Sequence, residues 1–278
     1  MPPTRPSEGT VAATPVTDAA RTLHFDSQRL RITTGPCYTA AMAKKTAPTT
    51  ELPRFTGFDR AGVSWFQGLA MAQNREWFHE HRDAYEQLWL TPMKSLIHEL
   101  TAPLAKIHGR KLGPPKFFRL NRDVRFSKDK SPYKTNTSAL IPFEGLGGPM
   151  EGPAALYLHL GLEEVVAFGF YALEPDALKR LRARILDEKT GPTLQKLVDV
   201  ATRQGLSLDG MEQLKRAPTG VDPAHPRIAL LKFKGLALSR SDIPKKVRFS
   251  ADLKPWILAQ AEAAAPVIKW GLAQNLLG

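Results

Sequence analysis

The segment from Lys116 to Thr135 reads KFFRLNRDVRFSKDKSPYKT. It crowds the guanidinium groups of Arg119, Arg122 and Arg125 and the ammonium groups of Lys128, Lys130 and Lys134 around two aspartates. Arg119, Asp123 and Arg125 alternate in sequence, so on an extended strand they share one face. Two guanidinium groups on one face can hold a phosphate or carboxylate with paired hydrogen bonds. Asp123 between them would orient an arginine or accept a substrate hydroxyl. The following loop, Ser127 to Lys134, adds three ammonium groups and the hydroxyls of Ser127, Ser131 and Tyr133 within eight residues. Backbone N–H groups, hydroxyls and lysines in such a loop are the parts of a phosphate cradle. The competing readings are an Arg–Asp–Arg ion network that stabilises a sheet, and an exposed turn.

Other constellations are weaker. His81 shares a helix face with Trp77 and Tyr85, a setting in which histidine is more often a core residue than a catalyst. His79 and His81 are two apart and fall on different helix faces, which makes a poor metal pair. The chain has no HExxH, and its one cysteine, Cys37, excludes cysteine zinc sites. The glycines of GLGGPMEGP (145–153) do not match a dinucleotide-binding turn. There is no Walker loop and no G-x-S-x-G elbow. No metal and no cofactor is expected.

The charge that surrounds these residues is uneven. Residues 116–134 hold seven Lys/Arg against two Asp, a net +5, and residues 227–254 hold eight against two, a net +6, so most of the chain's +12 lies in two stretches. If they meet in space, they would attract a phosphorylated ligand or a nucleic acid. If not, they are two solvated faces. A hydrophobic content of 42% over 278 residues suits a globular fold with a real core. A single cysteine allows no intrachain disulfide. No apolar run is long enough to span a membrane and no secretory core appears near the start, so a cytoplasmic setting is expected.

Residues 1–50 are rich in Pro, Thr, Ala and Ser and read as a disordered leader. Met42-Ala-Lys-Lys reads as a start site, with the first 41 residues an extension. From residue 51 to 278 the pattern is that of one globular domain. A helix is expected over 60–73, and Asn74 resembles the N-cap of another that carries Trp77, His81, Tyr85 and Trp89. Thr91-Pro92 reads as a fresh helix start, with Pro103 kinking or ending that helix. Residues 117–126 alternate as a strand. Further strands are expected over 137–143, 156–162 and 165–171, the last two as a hairpin. Helices should open at Glu174-Pro175 and Gly191-Pro192. Residues 228–238 fit strand or buried helix equally, and a final helix from about Asp252 should break near Pro266. Helices, then antiparallel strands, then helices predict an α+β fold: a central antiparallel sheet flanked by helices.

The segments FTGFDRAGVSWFQGLAMAQNREWFHEHRDAYEQ (55–87), KFFRLNRDVRFSKDKSPYKTNTSALI (116–141), YLHL (157–160) and HPRIALLKFKGL (225–236) together resemble an uncharacterised family, domain of unknown function 2461. The resemblance covers about residues 55–275, and Arg122 to Thr135 is its most specific part. It marks Arg119, Arg122, Asp123, Arg125, Ser127, Lys128, Lys130, Tyr133 and Lys134 as motif positions and implies no reaction.

Three functions compete on this reading. One is a binding module for a phosphorylated or anionic ligand, nucleic acid included. There Arg119, Arg122 and Arg125 contact the anion, Lys128, Lys130 and Lys134 close over it, and Ser127 and Tyr133 add hydroxyls. Another is an enzyme on a phosphorylated or carboxylated small molecule, with Asp123 as general base and Tyr133 or His81 as partner. The last is an interaction protein for an acidic partner. The oligomeric state is open.

Overall fold

A computed structural model describes residues 51–125, 129–146, 152–208 and 210–277. Its centre is a five-stranded antiparallel sheet in which sequence order is spatial order. The strands are β1 (Lys116–Phe118), β2 (Asn136–Pro142), β3 (Ala154–Gly161), β4 (Glu164–Phe170) and β5 (Leu236–Arg240). Nine α-helices are assigned among the described residues. They are α1 (Ala61–Ala72), α2 (Arg75–Glu80), α3 (Arg82–Tyr85), α4 (Thr91–His108), α5 (Pro175–Leu186), α6 (Thr190–Arg203), α7 (Ile228–Lys232), α8 (Lys245–Arg248) and α9 (Leu253–Ala273). This is the expected α+β arrangement. The expected leader, residues 1–50, lies outside the described residues.

The two faces of the sheet differ sharply. Thr137, Ala139, Ile141, Leu156, Leu158, Leu160, Val166, Phe168, Phe170, Leu236 and Leu238 alternate onto one face and all are buried. Helices cover that face. A Cβ at Gly271 of α9 would sit 2.5 Å from the Phe170 ring, and Tyr85 of α3 hydrogen-bonds Thr137 across 3.1 Å. The opposite face carries Lys116, Phe118, Leu140, Tyr157, Val165 and Ala167, all half-buried, with Ser138 and His159 buried among them. An antiparallel sheet built this way packs its core on one side and leaves the other open to solvent or ligand.

Local chemistry explains most of the helix limits. Asn74 caps α2 by accepting a hydrogen bond from the Trp77 N–H at 2.8 Å. The expected single helix through Trp77 and Trp89 is instead broken at His81, then continues as α3 and a π-helical turn, Glu86–Leu90. The Thr91 N–H bonds the Glu86 carbonyl five residues back, so α4 follows without a fresh cap. The wider turn sits directly before Pro92, whose ring has no N–H to give the helical ladder.

Pro103 was expected to kink or end its helix and Pro266 to break another, yet neither ends one: α4 and α9 run through both. The two prolines line one shallow groove where α4 lies along α9. Tertiary packing of this kind outweighs a single lost ladder bond. Residues 228–238 resolve as both alternatives in turn, α7 and then β5.

The strand expected over 117–126 is the other departure. Only β1 pairs with β2, and the chain then folds into a hairpin of its own. Arg122 N–H bonds the Pro132 carbonyl and Lys134 N–H bonds the Leu120 carbonyl, both at 2.8 Å. Asp123 and Arg125 lie beyond this short ladder.

Candidate functional site

The basic segment connects β1 to β2, so it starts and ends on the sheet. Helix α1 fixes its return arm. Gln73, in the left-handed conformation at the helix end (φ 43°), donates from Nε2 to the Tyr133 carbonyl at 3.3 Å. The same amide accepts the Tyr133 N–H at 3.1 Å. The Tyr133 ring is buried and stacked on Phe78 at 4.7 Å. Tyr133 therefore tethers the hairpin to α1 and α2. It places its neighbour Lys134 beside the open face of the sheet.

Gly161, the last residue of β3, lets the return arm come close. A Cβ there would lie 2.1 Å from the Thr135 carbonyl oxygen and 2.5 Å from the Asn136 Cα, both backbone atoms. We expect Gly161→Ala to cost about 1–3 kcal/mol by overpacking, read as a lower urea midpoint. An unchanged midpoint would show that the two arms separate freely.

The arginines divide into different roles. Arg125 grips Asp123 through Nε at 3.0 Å and Nη2 at 2.7 Å, entirely at the exposed tip. Those hydrogen bonds hold the Asp123 carboxyl down at about 2. A carboxylate held this low is a weak base near neutral pH. Arg122 has a different partner: its Nη1 lies 3.0 Å from Asp129, while its Nε is buried without a partner. Arg119 is exposed and has no carboxylate partner among the described residues. Lys130 donates to the Val124 carbonyl at 2.9 Å. Ser127 and Lys128 lie outside the described residues.

His81 is remote from this group in its bonding. Its ring stacks on Trp77 at 4.1 Å, its Nδ1 lies 2.8 Å from the Trp77 carbonyl, and its own carbonyl accepts the Trp65 indole N–H. It closes the turn between α2 and α3. Among the described residues no group of three His, Cys, Asp or Glu is placed to hold a metal ion.

Lys134 has the more telling surroundings. Its ammonium lies 5.5 Å from the centre of the Phe118 ring, and the Lys116 ammonium lies 5.4 Å from the same ring. No carboxylate pairs with Lys134 among the described residues. Burial lowers its pKa, and the fields of Arg122 and Arg119 lower it further. Three cations thus oppose one another at the edge of the open sheet face.

Beneath them runs a polar row that the sequence reading left out. Ser138 of β2 pairs in register with His159 of β3, and Tyr157 lies two residues away on the same face. The Tyr157 hydroxyl is 3.2 Å from His159 Nδ1, and Ser138 also hydrogen-bonds the phenol. His159 is only 7% exposed, and its Nε2 is buried with no hydrogen-bond partner. Burial, aided by the Lys134 charge, lowers its pKa to about 4, so the ring is neutral at pH 7. The Tyr157 phenol is pushed up by burial and stays protonated. The signal for this row was the Y-x-H spacing of Tyr157 and His159, which puts both on one strand face.

The family described as Conserved hypothetical protein (DUF2461) matches residues 61–270. The chain belongs to DUF2461. The match takes in the sheet, the basic hairpin and the polar row, which are therefore parts of the DUF2461 unit. No curated protein and no solved structure matches this DUF2461 chain.

The second basic stretch is used differently. Arg227, Lys234, Arg240, Arg248 and Lys254 each pair with a carboxylate: Glu188, Glu212, Asp242, Glu164 and Glu99. Among them, Arg248–Glu164 ties α8 to β4 and Lys254–Glu99 ties α9 to α4. No helix among the described residues is long and apolar enough to cross a membrane.

Proposed function

We propose that the protein binds a phosphorylated or otherwise anionic ligand at the open sheet face under the basic hairpin. The observation that carries this reading is Lys134. Its side chain is half-buried, has no carboxylate partner among the described residues, and lies in the field of two arginines. Burying a charge is costly unless it is paired. A bound anion would supply the missing partner and relieve the repulsion among Lys134, Arg122 and Arg119. Arg119 and Lys116 flank the approach, and Lys130 sits at the hairpin tip. Asp123 and Arg125 shape that tip and neutralise each other, so they contribute least to the net charge that the ligand meets.

The test is thermal unfolding of the full chain against inorganic phosphate, sugar phosphates, nucleotides and short oligonucleotides at low and high salt. A ligand at about 100 times its dissociation constant stabilises the native state by roughly 2.7 kcal/mol. For a unit of this size that raises the Tm by roughly 5–10 °C. We expect a small phosphorylated compound to do so and to keep most of the effect at high salt. Stabilisation by oligonucleotides alone, lost with salt, would instead mark a nucleic-acid surface. No shift with any anion would remove the reading.

A further inference from the structure

Resting on that reading, we infer that the site takes the terminal phosphate of a monoester, and that His159 is the residue that selects it. The argument begins with hydrogen-bond direction. Ser138 and His159 Nδ1 both hydrogen-bond the Tyr157 hydroxyl, and the arrangement we assign has the serine donating to the phenol oxygen, which can accept. The phenol proton then goes to His159 Nδ1, 3.2 Å away. A neutral imidazole that accepts at Nδ1 carries its proton on Nε2. Nε2 is the buried nitrogen with no partner in the protein. The row therefore ends in an unspent, uncharged donor next to the Lys134 ammonium.

The groups around this donor are donors as well. Lys134 offers an ammonium, and Arg122, whose charge acts on Lys134, keeps its Nε buried and unpartnered. The nearby carboxylate, Asp129, is already engaged by Arg122 and Ser131. The set suits oxygens that only accept. A phosphate monoester dianion has three such oxygens, whereas a diester inside a polynucleotide has two and carries one charge. Depth points the same way. His159 is 7% exposed and lies under the hairpin that Tyr133 tethers, so a chain end or a small molecule reaches it more readily than the middle of a strand. Charge from Lys134 attracts any anion, and the His159 N–H adds geometry without adding charge.

The test compares methyl phosphate with dimethyl phosphate by calorimetry on the full chain at pH 8, where the monoester is a dianion. We expect the native protein to prefer methyl phosphate at least about tenfold, since a hydrogen bond to a charged group commonly contributes that much. In His159→Leu both probes should still bind, with the preference cut several-fold, to the part that the second negative charge alone supplies. Tyr157→Phe, which keeps the ring and removes the hydroxyl that sets the imidazole proton, should fall between. It also serves if the leucine variant does not fold. Equal binding of the two probes by the native protein would overturn the monoester assignment while leaving anion binding in place. A full preference retained in both variants would overturn the role of His159. Binding of neither probe, nor of any other anion, would overturn the underlying reading as well.

Discussion

Lys134→Met is expected to abolish the stabilisation that small phosphates confer, a loss of about 2.7 kcal/mol under saturating conditions, without destabilising the ligand-free protein. Methionine keeps an aliphatic stem of similar length beside Phe118 and removes the charge. The ligand-free fold then loses a contact between cation and ring, worth about 0.5–1 kcal/mol at an exposed site. It also loses the repulsion from Arg122 and Arg119 and the cost of holding a charge out of water. The sign follows from linkage. The folded pKa of Lys134 lies below its ordinary value of 10.5. The fold therefore carries a penalty wherever the lysine is charged, and the penalty fades as pH rises through the folded pKa toward 10.5. Measured without ligand, any advantage of the methionine variant should be largest near neutral pH and shrink toward pH 10. A variant that still gains stability from phosphate, or that unfolds many degrees early without it, would show that Lys134 is a structural cation. Residues that hold such unfavourable charge in readiness for a ligand are a familiar source of trade-off between stability and function.

Much of this arrangement was legible in the chain. Local rules placed the Asn74 cap, the Glu174-Pro175 helix start, and the β3–β4 hairpin, because each depends on residues a few positions apart. The uninterrupted α4 and α9 were not legible, because the packing that overrides Pro103 and Pro266 joins residues far apart in sequence. The basic hairpin was recognised as a site, yet alternation alone placed Arg119, Asp123 and Arg125 on one working face. Pairing with β2 stops at Phe118, and beyond the short hairpin ladder Asp123 and Arg125 close on each other instead. The row beneath was missed for a different reason. In YLHL the apolar positions announce a strand, and the polar ones gain meaning only from the register that sets Ser138 beside His159. Summed charge was the least informative signal. It ranked residues 227–254 with residues 116–134, although five of the eight cations in the former are paired.

Arg248 lets that last distinction be measured. It belongs to the second basic stretch, and we expect Arg248→Met to cost about 3–5 kcal/mol by leaving a buried partner unpaired. Its Nη1 lies 2.7 Å from Glu164 Oε2, with the two side chains 11% and 19% exposed. Nη2 donates to the Gly161 carbonyl, and the guanidinium stands 5.1 Å from the Phe249 ring and 5.8 Å from the Trp89 ring. This one group therefore secures the β3–β4 turn, to which the hairpin's return arm is bonded through Leu162 N–H and the Thr135 carbonyl at 3.0 Å. Burial raises the Glu164 pKa despite the ion pair, so taking the carboxylate out of water outweighs what the arginine returns. For an acid with a raised folded pKa, the favourable contribution is present at low pH and is lost as pH rises through that value. Removing Arg248 raises the Glu164 pKa further, so the deficit of Arg248→Met should be larger at pH 8 than at pH 5 in urea titrations. Replacing both residues with methionine should recover most of the loss and flatten the pH dependence, because an apolar pair of similar volume has no charge to desolvate. A deficit in the single variant that is small and equal at both pH values would mean the pair is solvated. Arg248 would then rejoin the cations available to a ligand.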